Sequence, residues 1–94
     1  MVAKSVILSS GTTTIYTAIR DIFINRLSVV NWSASTATVN VYKVVAGVSV
    51  GIIPKDMQLS AGSALILIDG IGLETGQGLS VNTDQITHVD LNSN

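Results

Sequence analysis

Short β-branched runs recur along this chain, each closed by Gly, Ser, Asn or Asp. No stretch holds the i, i+3, i+4, i+7 apolar spacing of an amphipathic helix over three turns. Val and Ile together make up about a quarter of the residues, and Thr and Ser are abundant. Such β-branched side chains lose rotamer freedom in a helix but fit a pleated surface. The rhythm predicts strands over Ala3–Leu8, Thr12–Thr17, Ile22–Asn31, Thr36–Val45, Ile52–Leu59, Ala64–Asp69, Gly78–Asn82 and Ile86–Leu91. Turns are expected at Ser9–Gly11, Ile19–Asp21, Trp32–Ser35, Ala46–Gly47, Ser60–Gly62, Gly70–Gly72, Thr75–Gly76 and Thr83–Asp84. Strands at this spacing with glycine-marked turns predict an all-β fold. The expected form is a sandwich or jelly roll of about eight short antiparallel strands, in one domain spanning residues 1–94.

Composition then removes whole classes of function. The chain carries 5 Lys+Arg and 6 Asp+Glu, so 12% is charged while 47% is hydrophobic. An average soluble domain is about 25% charged. Mean hydropathy is +0.53, which excludes a disordered chain, since disorder needs low hydrophobicity and high net charge. A net charge of -1 leaves no basic surplus for phosphate backbones, so no nucleic-acid partner is expected. The longest near-apolar stretch, Val44–Ile53, is interrupted by Gly47, Ser49 and Gly51. A membrane-spanning helix needs roughly 18 apolar residues in succession, so no membrane is expected either. Cysteine is absent, which leaves the redox compartment open. The opening run from Met1 to Ser9 is too short for a secretory signal.

Alternation indicates which strand faces meet water. In Thr36–Val45, Thr36, Thr38, Asn40 and Tyr42 face one way and Ala37, Val39, Val41 and Val45 the other, with Lys43 as the exception. Strict alternation in the long third strand places Ile22, Ile24, Arg26, Ser28, Val30 and Trp32 opposite Phe23, Asn25, Leu27, Val29 and Asn31. Ala64–Asp69 is apolar on both faces, with Leu65 and Leu67 opposite Ile66 and Ile68. A domain of this length has nothing of its own to cover a second apolar face. Edge strands are usually blunted by Lys, Pro or bulges, and this chain has one proline, Pro54, and few lysines. Specific self-assembly is therefore expected, with Trp32, Phe23, Arg26, Leu65, Leu67 and Tyr42 as interface candidates.

Chemistry-bearing residues give a weaker signal. His88 is the single histidine, and without cysteine a structural zinc site would need three carboxylates beside it. A Ser-His-Asp set can be nominated from His88, Asp90 and any serine, but no strand–turn–helix elbow supports it. His88→Ala is expected to leave folding and assembly nearly intact. Asp69, Glu74, Asp84 and Asp90 read as solvated turn and strand residues, and the spaced acidic calcium-loop pattern is absent. Gly70-Ile-Gly72 and Gly76-Gln-Gly78 are followed by neither a Lys-Ser/Thr pair nor a helix, so no phosphate loop is expected. No catalytic residue, metal or cofactor is predicted.

The order of phrases carries a resemblance. Ile15-Tyr-Thr-Ala18 precedes a short turn and a long strand ending in Val29-Val-Asn31; Ser33-Ala-Ser-Thr36 leads into Ala37-Thr-Val-Asn-Val-Tyr42. Then come Ile52-Ile-Pro54, Leu59-Ser-Ala-Gly62, Leu73-Glu-Thr-Gly76 and Leu79-Ser-Val81. From about Thr14 to Leu91 this resembles a group of small all-β virion proteins of tailed bacteriophages. It departs from them at Ile19-Arg-Asp21, where a Pro-Ala-Gly turn is usual, and at Gln77, where an acidic residue is usual. The resemblance implies a non-enzymatic virion protein, first a capsid decoration (cement) protein that stabilises the shell. It also implies a homo-oligomer, expected to be a trimer, with the major capsid protein or another virion protein as partner. Its location would be the capsid or tail surface after assembly in the host cytoplasm. The alternative is a tail- or fibre-associated module that recognises carbohydrate or a host surface.

Overall fold

A computed structural model describes residues 2–68 and 70–93 of the chain. Among these residues there is no helix, and ten strands follow in order. They are β1 (Ala3–Leu8), β2 (Gly11–Thr17), β3 (Ile22–Asn31), β4 (Ala37–Val45), β5 (Val48–Gly51), β6 (Met57–Leu59), β7 (Ala64–Leu67), β8 (Ile71–Leu73), β9 (Gly78–Thr83) and β10 (Thr87–Ser93). The last residue of the expected Ala64–Asp69 strand lies outside the described residues.

Two of the expected element boundaries need correction. Of the expected Ile52–Leu59 strand only Met57–Leu59 forms, as β6; residues 52–56 are looped out, and the strand before them, β5, begins earlier at Val48. Ala46 and Gly47 both take positive φ, 51° and 80°, as a two-residue hairpin turn requires. The chain therefore reverses at once, and Val48 pairs with Val45. The expected turn Gly70–Gly72 instead donates Ile71 and Gly72 to β8, which pairs along Ile22–Ile24 of β3. That pairing seats Leu73 in the core at 2% exposure.

The strands form two antiparallel sheets. The first runs β1-β10-β3, with β7 and β8 end to end along the far edge of β3; the second runs β2-β9-β4, with β5 and β6 end to end along β4. Their inner faces supply one hydrophobic cluster. Ile24, Leu27, Val29 and Leu91 come from the first sheet, and Ile15, Val39, Val41, Leu79 and Val81 from the second. Each such side chain contributes about 1.5–3 kcal/mol on leaving water. The Cα radius of gyration, 12.4 Å, matches a compact chain of this length.

Bulges decide which side chains reach that core. In the pairing of β10 with β3, Asn92 lies opposite Arg26 but Ser93 lies opposite Ile24, so Asn25 is an extra residue. A bulge of this kind shifts the alternation by one. Ile22 and Ile24 are consequently buried together with Leu27 and Val29, while Arg26 turns outward. This corrects the strict alternation expected for the strand. Another irregularity, between Thr14 and Tyr16 in β2, lets Ile15 be buried while Tyr16 packs beside the same core.

Two buried polar side chains at one end have opposite consequences. Asn31 is fully buried, and its Nδ2 donates to the carbonyls of Ser35 (2.7 Å), Leu59 (3.0 Å) and Ser60 (3.2 Å). Its Oδ1 accepts from Ser33 N (3.0 Å) and Ser33 Oγ (2.7 Å). Thr87, opposite Asn31 on β10, is equally buried, but its Oγ1 has no partner among the described residues. Removing a satisfied amide orphans its partners, whereas removing an unsatisfied hydroxyl relieves a desolvation cost. Asn31→Ala is expected to lower unfolding free energy by about 3 kcal/mol, and Thr87→Val to raise it by about 1 kcal/mol. Urea unfolding midpoints measure both, and changes of the same sign would contradict this account of the pair.

Candidate functional site

The outer faces of the two sheets differ in chemistry. On the first sheet the register aligns Ile7, His88, Val30 and Ala64 across four strands, and beside them Ser5, Asp90, Ser28 and Ile66. Ile7 is 72% exposed, Trp32 66% and Ile66 49%, and Ile68 and Ile86 are exposed as well. On the second sheet, Asn82 Nδ2 donates to Thr12 Oγ1 (2.8 Å), Gln58 Nε2 to Thr38 Oγ1 (2.9 Å), and the Thr14 and Ser80 hydroxyls lie 3.1 Å apart. One outer face is a polar cross-strand lattice, and the other leaves large aliphatic groups and an indole in water.

The apolar face is concave. A depression of ≈ 400 Å³ is lined by Ser5, Ile7, Ser28, Val30, His88 and Asp90. Trp32, in the loop after β3, lies over His88 with ring centroids 4.5 Å apart and planes 14° from parallel. Backbone bonding sets its place, since Trp32 N donates to Ile86 O at 3.0 Å. The stack covers one face of the indole and leaves most of the side chain exposed.

Ser5, His88 and Asp90 do share this depression, but their connections are not those of a catalytic triad. Ser5 Oγ donates directly to Asp90 Oδ1 at 2.9 Å. A triad requires the imidazole between nucleophile and carboxylate, and here His88 is engaged with Trp32. The other acidic residues organise loops. Asp84 Oδ1 accepts from Thr38 N (2.8 Å), and Asp21 Oδ1 from Thr75 N (2.9 Å). Gln77 Oε1 accepts from Glu74 N (3.0 Å), so the amide closes that turn. Glu74 is exposed, and Asp69 lies outside the described residues. Among the described residues no group of three or more His, Cys, Asp or Glu is placed to hold a metal ion.

The six interface candidates do not form one cluster. Trp32 anchors the apolar face, and Arg26 is exposed at the bulge opposite Asn92. Phe23 is 44% exposed. A side chain at Gly70, where φ is +92°, would run into the Phe23 ring, so glycine there lets the ring lie down. Leu65 and Leu67 turn inward and pack on the core, and their neighbours Ile66 and Ile68 are the exposed ones. Tyr42 sits on the second sheet, in a smaller hollow. Sequence reasoning did not single out Ile7, Val30 or Ile66 because their role arises only from cross-strand register. Comparison with family models, curated proteins and solved structures finds no match to this chain.

Trp32 is the single tryptophan and His88 the single histidine, so their contact has a clean optical readout. His88→Ala is expected to shift Trp32 emission to longer wavelength while changing stability by less than about 1.5 kcal/mol, the upper range for a ring pair. Unchanged emission would show that the two rings do not stack in solution.

Proposed function

We propose that this chain is a non-catalytic structural protein that works by docking its apolar sheet face, and specifically that it is a decoration protein on a phage capsid. The observation that carries the proposal is the exposed concave face built from Ile7, Val30, Ile66 and the Trp32–His88 stack. Contiguous exposed apolar area on a small protein marks an interaction surface. A chain with 12% charged residues and such a face gains more by burying it than by solvating it.

Topology adds support for the finer fold. We read β5 with β6, and β7 with β8, as single strands interrupted by loops. The sheets then become β1-β10-β3-(β7,β8) and β2-β9-β4-(β5,β6), which is the nesting of an eight-stranded jelly roll in a sandwich. That architecture recurs in viral capsid and lectin domains, although fold alone does not fix function. With the phrase resemblance to phage virion proteins, it favours a homo-oligomer, expected to be a trimer, seated on the major capsid protein of the virion. Binding only the assembled shell would stabilise that shell by mass action. The alternative, a tail or fibre recognition module, draws on the hollow at Tyr42.

Light scattering tests the first step, with an expected solution mass that is a multiple of 9.8 kDa. Trp32→Ala should weaken self-association or shell binding by roughly thirtyfold, the loss of one aromatic anchor worth about 2 kcal/mol. The circular dichroism spectrum should be unchanged. A chain that stays monomeric at high micromolar concentration and adds no resistance to purified shells would overturn the proposal.

A further inference from the structure

The interrupted edge of the second sheet leaves part of β4 uncovered. Gly51 pairs with Tyr42 and Met57 with Val39, so five residues, 52–56, stand opposite only Asn40 and Val41. Ile52 N still reaches Val41 O at 3.0 Å, and the chain then leaves the sheet through Ile53, Pro54 and Lys55. The space it vacates is a hollow of ≈ 250 Å³ lined by Asn40, Val41, Tyr42, Gly51, Ile53 and Lys55.

This hollow is held open by a strained clamp. Asp56 has φ of 55°, the left-handed region that non-glycine residues rarely adopt. Asn40, 7% exposed, holds it from both sides: Asn40 Nδ2 donates to Asp56 Oδ1 (3.0 Å), and Asp56 N donates to Asn40 Oδ1 (2.8 Å). Asp tolerates this region better than most side chains, and residues held in it cluster at ligand clamps and functional sites. The clamp fixes the loop, and the loop presents Lys55 at the rim. Lys55 has no hydrogen-bond or ion-pair partner among the described residues.

We propose that this hollow binds a carboxylate-bearing sugar ring, independently of docking by the Trp32 face. Its volume lies below the roughly 300–1,000 Å³ of drug-sized pockets, which suits a single pyranose. The Tyr42 ring supplies a face for the sugar's C–H surface, Ile53 and Gly51 an apolar wall, and Lys55 a cation for the carboxylate. Asp56 Oδ1 accepts from Asn40 Nδ2, which ties that carboxylate to the clamp; its charge stays beside Lys55, so the lysine must reach past it to a ligand. A free uronic acid and the uronate of a polysaccharide share this chemistry.

Backbone amide chemical shifts of the isotopically labelled protein, titrated with glucuronate, glucose and acetate, provide the test. Glucuronate should shift Tyr42, Gly51, Ile53 and Lys55, with glucose weaker by roughly fivefold, the upper worth of one exposed ion pair. Lys55→Gln, on an exposed loop, should erase the difference between the two sugars, and Tyr42→Leu should weaken both. A uronate oligosaccharide that binds more tightly than glucuronate assigns the polysaccharide source, and equal affinity assigns the free ring. No shift at these residues, or equal shifts from acetate that survive Tyr42→Leu, would overturn the proposal.

Discussion

One buried amide determines how the exposed anchor of this protein is held. Asn31 ends β3 in the first sheet, and its Nδ2 reaches the carbonyl of Leu59 on β6 in the second. Its own backbone is tied as well, donating to Ser63 O at 2.9 Å and accepting from Gly62 N at 3.0 Å. In a low-dielectric interior an amide left unpaired costs more than a paired one contributes, so the surrounding loops must satisfy it. Ser33 does so through both its N–H and its hydroxyl, which folds the chain sharply just past residue 32. Trp32 is thereby trapped between a fixed Asn31 and a fixed Ser33, with its own N–H on Ile86 O. From that backbone position the indole lies above His88.

Scarcity of charge has a second layer once side-chain partners are considered. Asp21, Asp56, Asp84 and Asp90 each accept a hydrogen bond that ties a loop or neighbouring strand. Carboxylates used in this way hold chain segments together and solvate the surface less than their number implies. Uncharged amides and hydroxyls carry the wetting of the second sheet instead, through pairs such as Asn82–Thr12 and Gln58–Thr38. On the first sheet the Ser5–Asp90 bond is the cross-strand side-chain pair beside Ile7 and Val30 among the described residues, and release of water from the exposed aliphatic groups is the force that the proposed docking would draw on.

Most of the strand pattern was legible because it rests on local rules: β-branched runs, glycine-marked turns and a period of two. The failures lie where a single event interrupts these rules or where distant segments meet. Alternation propagates along a strand only until an extra residue intervenes, and nothing local in Asn25-Arg26 marks the bulge that turns Arg26 outward. The turn at Ala46–Gly47 was expected, but the next strand was placed at Ile52; both turn residues take positive φ, so the chain reverses within two residues and pairing resumes already at Val48. The exposure of Trp32 was legible from its place beside a serine-rich turn, whereas its stacking on His88, 56 positions later, depends on the pairing of Val30 with His88. The hollow at Tyr42 was not legible, since the bond that makes it joins Asn40 to Asp56 across a looped-out edge.

That looped-out edge also revises how the sheets avoid uncontrolled strand addition. Sequence alone suggested unguarded edges, because Lys and Pro are few. One edge of each sheet is instead broken into two short strands, β5 with β6 and β7 with β8. A broken edge presents no long ladder of free N–H and C=O groups to an incoming strand. Interruption therefore blunts these edges by geometry where other proteins use charge. Strand addition works through the backbone and is nearly indifferent to which side chains the strand carries, whereas docking of a sheet face works through the side chains themselves. With one edge of each sheet interrupted and Trp32, Ile7 and Ile66 exposed, a partner docking on the proposed face would be selected more by side-chain identity than by backbone pairing along those broken edges.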